Sequence, residues 1–175
     1  MSLQRSTDRI LTTHVGSLPR PPQLLDLMKA KLTGSAYDHD AYERCIRSAV
    51  AESVRKQADT GIDILSDGEQ SKPSYATYVK HRIAGIDMDP SVVERGQNAM
   101  VSLDRLEHPD YVTATNFSGT AFPACLGPLS YDDRAPLDRD LAHFRAAVDK
   151  AGPTEAFMPA PSPGILTPFV VDTYY

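Results

Sequence analysis

A long amphipathic segment at 40–60 passes through Gly61 into a short apolar run, Ile62-Asp63-Ile64-Leu65, which stops at Asp67-Gly68-Glu69. Few folds accept that order. A helical pattern that yields across one glycine to a buried strand with a polar tip belongs to α/β proteins. In such folds, carboxylates delivered at the C-terminal end of a strand stand where ligands bind. Glu69 is therefore a candidate for a small-molecule site, with Asp67 beside it. The same residues also suit a plain turn at Asp67-Gly68, with Glu69 capping the next helix. Spacing does not choose between the two.

The helix before this strand is the clearest element. Tyr42, Ile46, Ala49, Val50 and Val54 fall at helical spacing, and Arg44, Arg47, Glu52, Arg55 and Lys56 fall mostly on the other faces. Asp40-Ala41-Tyr42-Glu43 has the form of a capping box, and Gly61 is the stop. Upstream, the β-branched run Ile10–Thr13 predicts a first strand that leads into His14-Val15-Gly16-Ser17. Gly16 allows backbone conformations closed to other residues, and Ser17 offers a hydroxyl and an N–H at the strand tip. Pro21-Pro22 can open the next helix, whose apolar face is Leu24, Leu25, Leu27 and Met28. His14 has no His, Cys or carboxylate at ligand spacing, so a hydrogen-bonding role competes with a ligand or general-base role.

Beyond Glu69, residues 75–83 predict a short helix. Lys72 and Tyr75 stand where they can reach a ligand at the strand tip, or pack. Residues 84–124 form an irregular insertion, with short strands expected at 86–90, 100–106 and 111–116. Strands are expected at 125–131 and 155–159, with an amphipathic helix at 137–150 between them. The sum is about four strand-then-helix units in a single domain, 1–175, where a complete (β/α)₈ barrel needs eight units and about 250 residues. Such a partial barrel leaves sheet edges open. The expectation is that a second copy or a complementing half-barrel covers them, or that the chain is a piece of a longer protein.

Charge and cysteine usage exclude several partners. A net charge of −5, with Lys and Arg scattered, argues against nucleic acid. No apolar run approaches the ~20 residues of a membrane span, and Met1–Arg9 lacks the apolar stretch of a secretory signal. Cys45 and Cys125 are too far apart in sequence to form a metal or redox motif, and they suit a reducing compartment, so a cytoplasmic location is expected.

Three stretches together resemble one family, the C-terminal catalytic barrel of cobalamin-independent methionine synthase and its shorter relatives. Thr12-Thr13-His14-Val15-Gly16-Ser17-Leu18-Pro19-Arg20 is similar to that family's first-strand motif. Asp63-Ile64-Leu65-Ser66-Asp67-Gly68-Glu69 is similar to its second, which ends in Gly-Glu. Pro161-Ser162-Pro163-Gly164 with Tyr174-Tyr175 resembles the shorter relatives. The resemblance implies the N-terminal half of a TIM-type barrel. It also implies methyl transfer from a folate donor to a zinc-bound thiol such as homocysteine. Val15, Gly16 and Ser17 would bind the substrate carboxylate, and Glu69 its ammonium group, with Asp67 alongside and His14 and Tyr75 as further candidates. Asp67 stands where methionine synthases tend to have histidine. The family's zinc ligands lie in the other half of its barrel, and Cys45 and Cys125 match none of them. This chain is thus expected to hold no zinc by itself and to carry no catalytic residue, only the amino-acid-binding ones. Other readings are a catalytically inactive half-barrel, an epoxyalkane:coenzyme M transferase-like protein, or a uroporphyrinogen decarboxylase-like protein. The last would need a basic cluster, for which only Arg20 stands near a strand tip.

Overall fold

The computed structural model describes residues 5–74, 77–87, 107–108, 110, 123–131 and 133–175. The elements are α1 (Pro22–Leu32), α2 (His39–Asp59), β1 (Ile64–Ser66), a 3₁₀ helix (Thr77–His81), β2 (Ala84–Asp87), β3 (Ala124–Ser130), α3 (Ala135–Ala151), β4 (Glu155–Phe157), α4 (Pro163–Leu166) and β5 (Val171–Asp172). They fall into two compact units, one of Met1–Tyr75 with Ala135–Ala160 and one of Ala76–Arg134 with Pro161–Tyr175. Among the described residues, no helix is long and apolar enough to cross a membrane. The strands expected at 100–106 and 111–116 lie outside the described residues.

The first unit is built on parallel pairing. β1 pairs with β4 in register Ile64↔Glu155 to Ser66↔Phe157. On its other side, Thr13 forms a parallel bridge to Ile64. The first strand is shorter than its sequence suggests, and the reason is local. Asp63 carries the Arg9 guanidinium, and its Oδ2 also accepts from Thr12 N at 2.8 Å and Thr12 Oγ1 at 3.0 Å. Thr12 thus spends its N–H on a side chain, while its carbonyl accepts from Asp63 N and Ile64 N.

Helix α2 covers β1. Its stripe Tyr42, Ile46, Ala49, Val50 and Val54 joins Leu65, Leu24, Met28, Phe144 and Ala147 in one core cluster. At ~1.5–3 kcal/mol per large buried side chain, this burial is what fixes the helix on the strand. Burial pushes the Tyr42 hydroxyl up to about 12. The cap of α2 is Asp38 rather than Asp40. Asp38 is extended (ψ 107) and its side chain accepts from Ala41 N at 2.9 Å. The helix starts at His39, which leaves Asp40 in the first turn, where its charge suits the helix dipole. Cys45 packs half-buried at the margin of this core.

The second unit holds a mixed sheet in the order β2-β3-β5, antiparallel and then parallel. The strand expected at 125–131 is therefore real, but its partners are β2 and β5, while β1 pairs directly with β4. Its sequence carries the reason. Pro128 has no N–H for a ladder, and the β2–β3 register slips between Ala84 and Ile86, where Gly85 sits at φ 86 close to the carbonyls of Gly127 and Pro128. A central strand of a parallel sheet would be buried on both faces, whereas β3 is buried only at its start.

The tie between Arg9 and Asp63 gives a pH prediction. The hydrogen bond from Arg9, joined by the Thr12 N–H, holds the Asp63 carboxyl well below the usual carboxylate range. A depressed folded value stabilises above the unfolded value of about 3.9, and that contribution is lost as pH falls through the folded one. Arg9→Ala should therefore lower Tm at about pH 7, and the gap from the native chain should narrow in thermal melts run below the carboxylate range.

Candidate functional site

The tips of the first unit's strands converge through polar contacts. Ser17, just past the Thr13 bridge, donates its hydroxyl to Glu69 Oε2 at 2.7 Å across 52 residues of chain. Leu18 N donates to Gly68 O at 2.9 Å, and Gln70 Nε2 donates to Leu18 O at 3.1 Å. Arg20 Nη2 donates to Glu69 O at 2.7 Å and Lys72 O at 2.5 Å. Burial pushes the Arg20 guanidinium below its ordinary value, and the nearby Glu69 charge opposes this most. The loop after the first strand is thus fastened to the loop after β1 along its length.

The 67–69 turn is tightly specified. Gly68 has φ 60, and Glu69 is left-handed as well, at φ 55, the one described non-glycine residue with positive φ. That conformation costs an L-residue energy and persists only where surroundings impose it. Asp67 Oδ1 accepts from Glu69 N at 3.1 Å, which closes a turn of the Asx kind. Asp67 Oδ2 accepts from Lys72 Nζ at 3.1 Å, and Lys72 Nζ also donates to Pro159 O at 2.8 Å, just beyond β4. Both members of this ion pair are buried, at 3% and 2% side-chain exposure. Glu69 is itself only 3% exposed.

Of the residues named from sequence, Ser17 and Glu69 meet directly. Asp67 adjoins them, but its oxygens engage Lys72 and the Glu69 N–H. Gly16 takes φ 104 and Val15 is 70% exposed. His14 donates from Nε2 to Gly16 O at 3.1 Å, bracing its own loop. It also lines a cleft of about 570 Å³ with Arg20, Ser53, Lys56 and Gln70, which Ser17, Asp67 and Glu69 do not line. Tyr75 lies outside the described residues. Sequence reasoning missed Gln70 and the clamp by Arg20. Its only signals were their places directly after Glu69 and after Pro19. Among the described residues, no three His, Cys, Asp or Glu side chains form a group that could hold a metal ion. Cys45 lies on α2, and Cys125 in β3 donates to Gly127 O at 3.4 Å.

Parallel strands covered by helices, with polar groups gathered at their C-terminal tips, define an α/β protein, and the fold shared with a solved methionine synthase makes it one of the TIM-barrel type. A family model described as the catalytic domain of cobalamin-independent synthase matches residues 10–106, more than half of the chain, and the chain belongs to that family. It is 31% identical over 153 residues to a methionine synthase of Sulfolobus acidocaldarius, covering 78% of this chain and 45% of that protein. It is 37% identical over 67 residues to a 5-methyltetrahydropteroyltriglutamate–homocysteine methyltransferase of Nitratidesulfovibrio vulgaris, covering 38% of this chain and 8% of that one. A solved B12-independent methionine synthase from Shewanella sp. W3-18-1, in complex with selenomethionine, shares the fold over 94% of this chain and 41% of its own. The TM-score is 0.60 and the identity 19%. The chain spans less than half the length of these relatives.

The turn can be tested through Gly68. A Cβ there would stand 2.5 Å from Ser53 Oγ and 3.2 Å from Leu18, at a φ that L-residues resist. Gly68→Ala should destabilise the chain by at least about 1–2 kcal/mol in urea denaturation. Adding Ser53→Ala should recover part of the loss, because it removes the nearest obstructing atom.

Proposed function

We propose that this chain binds the amino-acid portion of a small thiol, with homocysteine as the family's example, and is the amino-acid-binding part of a methionine-synthase-like methyltransferase. The observation that carries this reading is the contact between the Ser17 hydroxyl and the buried Glu69 carboxylate at adjoining strand tips. A glutamate held in place suits a substrate ammonium group, and the N–H groups of the Val15-Gly16 loop with the Ser17 hydroxyl suit its carboxylate. Arg20 and Gln70 fasten the two loops to each other, which supports a fixed arrangement of these groups.

The names of the relatives support the substrate class, since several are homocysteine methyltransferases with a folate donor. The family points to zinc as the group that supplies a thiolate at neutral pH. The described residues do not fit a zinc site. What this chain's residues do in the proposed reaction is bind and orient the amino acid. The proposed setting is the cytoplasm.

Titration calorimetry of the purified chain with L-homocysteine tests the reading. Binding is expected, and Glu69→Ala should weaken it by at least about tenfold, the worth of a charge-assisted hydrogen bond. Ser17→Ala should weaken it less. Affinity unchanged by Glu69→Ala overturns the assignment.

A further inference from the structure

Asp67 and Glu69 look equivalent in sequence, two acids on either side of a glycine. Their surroundings differ. Asp67 directs both of its carboxylate oxygens inward, one to the backbone N–H of Glu69 and one to the ammonium of Lys72. We infer that Asp67 is a positioning residue: it fixes Glu69 through the Glu69 backbone N–H and does not touch the ligand, and Lys72 is the buried counter-charge that holds it in that orientation. This rests on the ligand-binding role proposed for Glu69.

The argument is geometric. Glu69 sits at φ 55, a conformation that relaxes unless something holds it. Three groups act on its backbone, the Asp67 carboxylate on its N–H, and the Arg20 guanidinium and the Lys72 N–H on its carbonyl. The Ser17 hydroxyl then fixes its side chain. A buried carboxylate with no counter-charge is costly, so Asp67 can do this only because Lys72 lies beside it at 3.1 Å. Lys72 in turn is anchored on Pro159 O at 2.8 Å, past the end of β4. The chain of contacts Pro159–Lys72–Asp67–Glu69 therefore transmits the position of one strand tip to the candidate ligand-binding carboxylate of another. With Lys72 pairing Asp67, Glu69 is left as the acid of the turn that can receive a ligand ammonium group.

The test compares two double variants that both remove the buried charges. Asp67→Asn with Lys72→Met keeps an oxygen that can accept from Glu69 N, and Asp67→Ala with Lys72→Met does not. If Asp67 positions Glu69, the Asn pair should bind L-homocysteine within about threefold of the native chain. The Ala pair should lose at least about tenfold, and its Glu69 amide should exchange with deuterium about tenfold faster by NMR. Equal losses in the two pairs, with the Glu69 amide protected in both, would mean that the charges removed from both, and not the oxygen that accepts from Glu69 N, govern binding, and would overturn the inference. Exchange in the native chain needs no variant: a Glu69 amide that exchanges at the rate of an unstructured peptide also overturns it. Should native chain fail to bind homocysteine, the proposed function falls, while the amide-exchange series still decides the role of Asp67.

Discussion

A glutamine side chain holds the first unit together at its most critical point. Gln57, on the last turns of α2 and 3% exposed, donates from Nε2 to Ser66 O at 2.8 Å. Its Oε1 accepts from Ser66 N at 3.1 Å. The amide stands in for a neighbouring strand and satisfies both backbone groups of the last residue of β1. Without it, a buried donor and acceptor would go unmet, at about 1–3 kcal/mol each. This contact fixes where β1 ends relative to the helix, and so where the turn carrying Asp67, Gly68 and Glu69 begins. One turn back along α2, Ser53 lies so close to Gly68 that only glycine fits. The helix thereby shapes the turn as well as covering the strand.

From that fixed point, charge organises the strand tips. Two acids and two cations, Asp67, Glu69, Arg20 and Lys72, occupy a small region from which solvent is largely excluded. Partners within the fold hold most of it in place: Lys72 pairs with Asp67, Arg20 donates to the carbonyls of 69 and 72, and Ser17 donates to Glu69. Among the described residues, Glu69 has no cation paired with it, and Arg20 Nε and Gln70 Oε1 are buried without a hydrogen-bond partner. A buried polar network of this kind adds little net stability, but it makes one arrangement of three loops far better than its neighbours. That is the property a binding site for a small zwitterion needs, since such a ligand is recognised by where charges are held.

The helices were legible in the sequence because a helix announces itself locally. The stripe from Tyr42 to Val54 and the stop at Gly61 need no partner to be read, and α2 forms at His39–Asp59. The glycine-to-strand handover at 61–66 was legible for the same reason. The pairing of strands was not. Residues 124–130 and 155–157 both look like apolar strands that follow or precede helices, yet only the second joins β1. Pro128 was the available signal, and its meaning depends on which edge the strand presents.

By itself, the sequence determined the α/β alternation, the family, and the identity of the two residues that meet at the strand tips, Ser17 and Glu69. The alternation follows from local periodicity, whereas the family and the two residues follow from the resemblance of the two strand-tip motifs, since spacing alone left Glu69 open to a plain turn. Only the tertiary structure decided that Asp67 faces Lys72, that Arg20 and Gln70 bind two loops together, and that Glu69 takes a left-handed backbone. Those outcomes depend on which groups, far apart in the chain, are brought together where water cannot satisfy them, and no one-dimensional pattern encodes that.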